Sequence, residues 1–359
     1  MSDKTQNKSP YEGLEARAFW RSGVAEAQTY PPPDVYQPRF PITRQMPVVT
    51  AGSCFAQHVG RSLVASGYNV IDTEPAPRNC PETLAHKYGY RLYSARYGNI
   101  YSVRQFLQLV LEANQAFTPA EPVWERSGRY FDALRPSVEP NGLDAPEHVI
   151  EAREYHLRAV RRALEQAQLV VFTMGLTECW EHIASGTVYP TAPGTIAGRM
   201  NPDVFAFKNF RFSEIKADFE HLRQILQEIS PGVKFLLTVS PVPLTATASG
   251  NHILPATIYS KSVLRAVCGE LCLDHDDIDY FPSYEIVASH PSRGSFFEEN
   301  LRSVKHKGVK RVMRSFLAAH AGGAAENEPM QSKPARQKVS SATEDDLVCE
   351  EQLLEAFRK

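Results

Sequence analysis

A serine hydroxyl and a cysteine thiol stand side by side where an apolar run gives way to a helical pattern. They lie within residues 50–56, and Ser53 falls at the predicted start of the helix. The unpaired amides and the positive dipole end of a helix start favour developing negative charge. Two roles are open to Ser53: a nucleophile presented at the turn, or a cap that accepts a backbone N–H. Two are also open to Cys54, a reactive thiol or a small buried apolar residue.

Short apolar runs alternate with amphipathic helical patterns through most of the chain. This alternation predicts an α/β fold with a parallel sheet covered on both faces. Ligands bind such sheets beyond the carboxyl ends of the strands, which is where Ser53 lies. The predicted strands are residues 46–51, 68–72, 169–174, 233–239 and 277–280, and the predicted helices are residues 53–65, 103–116, 146–166, 212–229, 260–271 and 307–319.

Length and charge exclude several classes of function. The chain has 359 residues, and its 39 Lys and Arg nearly balance its 41 Asp and Glu. No strong field therefore favours nucleic acid or an anionic membrane surface. The apolar runs are strand-sized, which predicts no membrane span. Residues 1–10 are polar and lack the apolar core of a secretory signal, so we expect a cytoplasmic protein.

The six cysteines are scattered and show no zinc-ligand spacing. Cys268 and Cys272 stand one helical turn apart among apolar residues, where we expect core packing rather than a metal site. The sequence therefore predicts reduced thiols, and it indicates neither a metal nor an organic cofactor.

Composition divides the chain into four parts. Residues 1–42 form an extended, proline-containing lead-in, and residues 43–320 form the α/β domain. Residues 321–344 have almost no large apolar side chain and are predicted to be a disordered tether. Residues 345–359 regain apolar spacing and predict a short amphipathic helix that docks on the domain or on a protein partner. Within the domain, residues 117–145 and 185–209 are rich in aromatic residues, which either anchor loops or wall a pocket.

Five motifs follow one another along the chain. They are Gly52-Ser53-Cys54-Phe55-Ala56, Gly98-Asn99, Gly175-Leu176-Thr177-Glu178 followed by Trp180, Tyr259-Ser260-Lys261, and Tyr280-Phe281-Pro282-Ser283-Tyr284-Glu285. They resemble the motifs of one known family, and the similarity extends from about Pro47 to Phe316. On this resemblance the chain is identified as a member of the GSCFA family, within the SGNH (GDSL-like) hydrolase superfamily.

The resemblance implies a three-layer α/β/α sandwich with a mostly parallel, flavodoxin-like sheet. It also implies a serine nucleophile that hydrolyses esters or transfers acyl groups, often on carbohydrates. Carried over to this chain, Ser53 is the nucleophile, and Asn99 donates from its side chain to the oxyanion. The backbone N–H groups of Ser53 and Gly98 complete the oxyanion hole. For an isolated Gly98-Asn99 pair, a plain turn is the alternative.

The third motif departs from the superfamily pattern. Many SGNH enzymes place an Asn after the glycine, whereas Gly175 is followed by Leu176, Thr177 and Glu178. We assign Gly175, Thr177 and Glu178 to the oxyanion and substrate-binding region. Glu178 would orient a neighbour or bind substrate hydroxyls, or else it satisfies backbone amides at a helix start.

The catalytic base is the larger departure. SGNH enzymes end with Asp-x-x-His, and these two positions fall on Asn300 and Ser303. A serine hydroxyl is a poor nucleophile without a base in hydrogen-bond reach. Our first choice as substitute is His290, in a loop after the last strand, with Glu285 or Glu299 orienting it.

Three further histidines lie where the same role can be considered. His252 follows a strand at the same end of the sheet, whereas His306 would face away if the last helix has already begun. His58, inside the first helix, is expected to pack beside the nucleophile turn.

The sequence as a whole predicts a cytoplasmic esterase or O-acyltransferase that acts on an acylated small molecule, carbohydrate or glycoconjugate. The alternative is a binding or scaffolding protein that has kept the fold and lost the chemistry. Loss of Asp-x-x-His and the terminal amphipathic segment favour that alternative.

Overall fold

A parallel four-stranded sheet lies at the centre of the fold. The computed structural model describes residues 9–320 and 350–357. The strands are β1 (Val48–Gly52), β2 (Val123–Arg126), β3 (Arg129–Asp132), β4 (Leu169–Met174), β5 (Glu178–His182), β6 (Val188–Tyr189), β7 (Phe205–Asn209), β8 (Lys234–Val239) and β9 (Ile278–Tyr280). The α-helices are α1 (Cys54–Ala65), α2 (Glu82–Lys87), α3 (Val103–Ala113), α4 (Pro146–Gln166), α5 (Phe212–Ile229), α6 (Ile253–Asp274), α7 (Ser283–Ala288) and α8 (His306–His320).

The central sheet has the order β1-β4-β8-β9, and every neighbouring pair is parallel. Alternate side chains of β4 enter two different cores: Val170 and Phe172 pack on one face, Leu169 and Val171 on the other. Helices α3 to α6 cover the first face, and α1, α7 and α8 cover the second. The predicted three-layer α/β/α sandwich is therefore confirmed.

The predicted strand at residues 68–72 is wrong. Only Val70 pairs with β1, through an isolated bridge to Val48. The Asp72 carboxylate then accepts the N–H of Glu74, which turns the chain, and the N–H of Thr73 bonds to Ser94 instead of the sheet. The sheet consequently ends at β1.

The two aromatic-rich segments build small sheets outside the central one. Residues 117–145 contain the β2-β3 hairpin, and β6 and β7 flank β5 in an antiparallel sheet. Their aromatic side chains form a separate buried cluster that includes Trp124, Phe131, Tyr189 and Phe205. These side chains anchor the segments, as one of the two interpretations predicted.

The lead-in packs against the face covered by α1, α7 and α8. Phe40 and Ile42 are buried there, and the Tyr36 hydroxyl donates a 2.9 Å hydrogen bond to Asp279. The predicted tether, residues 321–344, lies outside the described residues. Of the predicted terminal helix, the described part, Glu350–Phe357, is a 3-10 helix. Across the described ranges, every helix is too short or too polar to cross a bilayer.

Buried charges tie the β2-β3 hairpin to α4 and to the segment that precedes α3. The Asp132 carboxylate forms ion pairs with Arg135 at 2.7 Å and with Arg153 at 2.9 Å. All three side chains are nearly inaccessible to solvent. Glu74 accepts the backbone N–H of Arg96 and contacts the His156 ring at 2.7 Å. This network fixes the start of the segment that contains Asn99.

Replacing Asp132 by Asn tests this network. Breaking a buried charge pair leaves uncompensated charge, so we expect the free energy of unfolding in urea to fall by about 3–5 kcal/mol at neutral pH. Burial alone would raise the pKa of Asp132, but the charges of Arg153 and Arg135 outweigh it and lower the pKa to about 2. A carboxyl with a lowered pKa stabilises the fold above its unfolded value of about 4, so the difference from the unchanged protein should shrink as pH falls towards about 2.

The matched control is Asp203→Asn, which removes a charge from an exposed position. It should change the free energy of unfolding by less than about 0.5 kcal/mol. Equal effects of the two substitutions would contradict the role of the network.

Candidate active site

Ser53 begins α1 directly after the last residue of β1. Gly52 has a φ of +139°, and a Cβ there would lie 2.4 Å from the carbonyl oxygen of Thr173 on β4. Only glycine therefore fits this turn. The turn carries the chain from the sheet into the helix and leaves the Ser53 side chain at the carboxyl ends of β1 and β4, where 3 % of the residue is exposed.

The Ser53 side chain does not cap the helix. Ser53 occupies the N-cap position, yet its side chain accepts no capping hydrogen bond. Within the described part of the chain, its buried Oγ has no hydrogen-bond partner. Since buried hydroxyl groups are nearly always paired, such an atom needs an explanation, and reaction with a ligand is one.

Three strand ends and one helix enclose the Ser53 hydroxyl in a small pocket. Ser53, Gly175 and Ser240 follow β1, β4 and β8, and Lys261 comes from α6. The pocket has a volume of about 10 Å³, close to the space that one water needs. Its remaining lining residues are Cys54, Tyr101, Leu176, Val242, Pro243 and Leu244.

Gly175 is held against Ser53 on one side and Lys261 on the other. A Cβ on Gly175 would lie 2.9 Å from the Ser53 Cβ, so a larger residue would push the serine away. The Gly175 carbonyl accepts a 2.5 Å hydrogen bond from the Lys261 ammonium or amine nitrogen, and only 2 % of Lys261 is exposed. Gly175 thus joins the predicted nucleophile to a buried lysine.

Asn99 is buried beside the start of α1. Its Oδ1 lies 3.1 Å from Gln57 Nε2 and 2.5 Å from the Tyr93 hydroxyl, which is also 3.1 Å from the Ser53 carbonyl oxygen. These contacts orient the side-chain amide of Asn99. Gly98, also buried, has a φ of +69°, a conformation that favours glycine.

One predicted member of the oxyanion hole is wrong. The Ser53 N–H donates to the Thr173 carbonyl at 3.2 Å. It continues the β1-β4 ladder and so points into the sheet rather than towards a substrate.

Thr177 and Glu178 have different surroundings: Thr177 connects elements of the fold, and Glu178 lines a pocket. Thr177 is fully buried, and its N–H and hydroxyl bond to Ser260 and Asn209. It joins the start of β5 to α6 and to β7. Glu178 instead lines a second pocket and accepts a 2.8 Å hydrogen bond from Thr247. Burial raises the pKa of the Glu178 carboxyl, and the hydrogen bond from Thr247 opposes this.

The second pocket adjoins the first. Both are lined by Leu176 and Leu244, and the second has a volume of about 200 Å³. Trp180 and Phe207 supply aromatic rings to its wall. The 3-10 helix Glu350–Phe357 contributes Leu354, so the terminal segment touches this pocket. This volume is large enough for a chemical group of moderate size.

His290 and Glu285, our first choice of base and orienting acid, do not come together. His290 is exposed and stacks on Trp20 with ring centroids 5.2 Å apart. Both carboxylate oxygens of Glu285 are engaged, by Arg265 at 2.5 Å and by the Tyr280 hydroxyl at 2.8 Å. Neither residue lines the Ser53 pocket. The assignment fails because α7 directs Glu285 towards α6 and β9.

The other imidazoles are also absent from the lining of the Ser53 pocket. His252 is exposed, and its Nδ1 caps α6 by accepting the Leu254 N–H. His306 is the exposed first residue of α8, as expected for a helix that has already begun. Burial lowers the pKa of His58 to about 3, and the charges of Arg61 and His306 add to this effect. His58 packs edge-on against Phe55, beside the nucleophile turn as predicted.

Asn300 and Ser303 form a local turn. The Asn300 side chain donates to the Ser303 hydroxyl at 3.0 Å and accepts the Ser303 N–H at 2.9 Å. Both residues therefore satisfy each other instead of completing a catalytic triad. In the described ranges, His, Cys, Asp and Glu side chains form no group of three that could hold a metal ion.

Comparison with protein families identifies the family of the chain. The model of the GSCFA family matches residues 47–316. The chain belongs to the GSCFA family. The matched region includes the central sheet and every residue of the Ser53 pocket. No curated protein matches the chain.

Sequence reasoning missed three polar residues of this GSCFA site. Gln57 and Tyr93 orient Asn99, and Lys261 reaches the pocket from α6. A signal for Lys261 was present: it shares the apolar stripe of α6 with Leu264 and Cys268, at the spacing of one helix face. A lysine on a core-facing stripe is rarely fully buried unless its charge or amine is paired.

The lowered pKa of His58 can be tested by nuclear magnetic resonance. We expect the ring to remain neutral as the pH is lowered from about 7 to about 5, because burial disfavours the charged form and an ordinary histidine would titrate near 6.5. Imidazole chemical shifts measure this directly, with the exposed ring of His148 on α4 as internal reference. A midpoint for His58 above about 6 would contradict the burial and restore it as a candidate base.

Proposed function

We propose that this GSCFA protein is an SGNH-type serine esterase or O-acyltransferase that acts through Ser53. The observation that carries the proposal is the buried Ser53 Oγ, which has no hydrogen-bond partner among the described residues and faces a pocket at the carboxyl ends of three parallel strands. A hydroxyl in this position can attack an ester carbonyl and form an acyl-serine. Water or a second hydroxyl then accepts the acyl group.

Asn99 and Gly98 are the proposed oxyanion donors. The negative charge on the carbonyl oxygen develops only in the transition state, so donors oriented beforehand lower the barrier. The contacts of Gln57 and Tyr93 with Asn99 Oδ1 support this role, because they orient the amide.

The second pocket supports an acylated carbohydrate or similar small molecule as the substrate class. Its aromatic rings, Trp180 and Phe207, offer flat apolar surfaces, and Glu178 offers a hydrogen-bond acceptor for hydroxyl groups. We place the reaction in the cytoplasm, which agrees with the reduced thiol of Cys268. Leu353 and Phe357 stay exposed and form the surface that a protein partner of the terminal segment would contact.

A catalytically inactive binding protein is the second candidate. The turn formed by Asn300 and Ser303 favours it, as does the absence of an imidazole from the lining of the Ser53 pocket. Such a protein would bind ligands in the second pocket without forming an acyl-serine.

Labelling with a fluorophosphonate tests the two candidates. We expect the unchanged protein to be labelled at Ser53 and to hydrolyse nitrophenyl acetate, because the hydroxyl is the proposed nucleophile. Ser53→Ala should abolish both, while Ser66→Ala, at the other end of α1, should leave both unchanged. Peptide mass mapping distinguishes Ser53 from Cys54. Absence of labelling and hydrolysis would favour the binding protein.

Asn99→Asp tests the oxyanion donor. The substitution keeps an oxygen for Gln57 and Tyr93 but replaces the donating NH2 group, so we expect kcat/KM for nitrophenyl acetate to fall about 100-fold. Asn69→Asp, at an exposed position, is the matched control and should retain full activity. An Asn99→Asp variant with an unchanged rate would exclude the side-chain amide from catalysis.

A further inference from the structure

We propose that Lys261 is the general base that accepts the proton of Ser53. The inference rests on the proposed function, since a base matters only if Ser53 is a nucleophile. Lys261 lines the Ser53 pocket and would take the role that a histidine has in the Asp-x-x-His pattern. A Ser-Lys pair of this kind is a known chemical solution to serine activation on unrelated folds.

The geometry brings the two side chains to one small space. Lys261 and Ser53 both line the pocket at the ends of β1, β4 and β8. The Lys261 nitrogen is 2.5 Å from the Gly175 carbonyl oxygen, and the Gly175 backbone lies directly against the Ser53 side chain. Lys261 is thereby placed by a hydrogen bond to the residue that also positions the serine.

The two groups do not hydrogen-bond directly, because Ser53 Oγ has no partner within the described ranges. One water can bridge them, since the pocket volume of about 10 Å³ matches the space that one water needs. Proton transfer through a single water satisfies the requirement for a general base.

The general-base role requires the neutral form of the Lys261 amine. Only 2 % of Lys261 is exposed, and burial in general disfavours a charged amine. A neutral amine can donate one N–H to the Gly175 carbonyl while its lone pair accepts a proton. Cys54 and Tyr101 are the other titratable side chains that line the pocket.

The proposed reaction has two stages and needs only an ester in the first and water in the second. Ser53 Oγ bonds to the ester carbonyl carbon while its proton passes to the Lys261 amine, which becomes an ammonium. The tetrahedral intermediate collapses, the ammonium protonates the departing alkoxide, and the acyl-serine remains. Water then loses a proton to the amine and attacks the acyl carbon, and the ammonium returns the proton to Ser53 Oγ as the acid leaves.

The test measures the rate of fluorophosphonate labelling and of nitrophenyl acetate hydrolysis with the full chain. We expect Lys261→Ala to lower both rates about 100-fold or more, the range lost with a general base. Methylamine should restore the rate of this variant in proportion to the free amine, because it can occupy the emptied side-chain space and accept the proton. Lys234→Ala, at the opposite end of β8, is the control and should retain both rates.

Lys261→Arg separates proton transfer from positioning and also covers the case in which the alanine variant fails to fold. Arginine can donate to the Gly175 carbonyl but does not lose its proton, so this variant should remain slow. Full rates in Lys261→Arg, or a folded Lys261→Ala that is unimpaired or insensitive to methylamine, would overturn the lysine assignment. Absence of Ser53 labelling in the unchanged protein would instead overturn the proposed function and the assignment with it.

Discussion

The close approach of β1 and β4 at their carboxyl ends is the constraint on which the rest of the site depends. Parallel pairing sets Gly52 opposite Thr173, at a distance that leaves no room for a Cβ on Gly52. Ser53 and Gly175 each follow the last residue of their strand. A Cβ on Gly175 would lie only 2.9 Å from the Ser53 Cβ, so glycine is needed there as well. Two glycines therefore allow the hydroxyl to sit between neighbouring strand ends, and the same contact delivers the Gly175 carbonyl to Lys261.

Buried polar groups differ in their hydrogen-bond partners between the region around Asp132 and the region around Ser53. Around Asp132 and Glu74, buried charges are paired and hold β3, α4 and the segment before α3 together. The Ser53 hydroxyl, like those of Thr50 and Thr173, is buried without a partner among the described residues, but of these three only Ser53 lines the pocket at the strand ends. An unsatisfied buried group costs about 1–3 kcal/mol, and natural proteins tolerate such a cost mainly at functional sites. The paired network holds the segment that contains Asn99, and the unpaired hydroxyl is the group that we propose as the nucleophile.

The proposed base comes from α6, whereas the segment before α8 supplies no imidazole to the Ser53 pocket. Helix α8 begins at His306, and the turn before it is closed by Asn300 and Ser303. Helix α6, in contrast, contributes Lys261 from its core-facing side to the lining of the pocket. A base from the opposite layer of the sandwich can serve the same hydroxyl, because the pocket lies at the edge where both layers meet the sheet.

Much of the fold could be predicted from the sequence because its signals are local. Alternation of apolar runs and helical periods indicated the α/β class and the approximate positions of the central strands and the larger helices, and a Gly-Ser pair before a helix located Ser53. Residues 68–72 were misassigned because a side chain, Asp72, ended the pairing, which no periodicity reveals. Likewise, Glu285 was a plausible partner of His290 by spacing, yet Arg265 and Tyr280 occupy it from other elements.

By itself, the sequence determined the class of fold, the strand-to-helix turn and the identity of the polar side chain at that turn. Only the tertiary structure decided which distant side chains accompany the hydroxyl: Asn99 held by Tyr93 and Gln57, Lys261 held by Gly175, and no histidine in the pocket lining. The physical reason is that backbone conformation follows from neighbours along the chain, whereas burial and side-chain partners depend on how whole helices pack across the sheet.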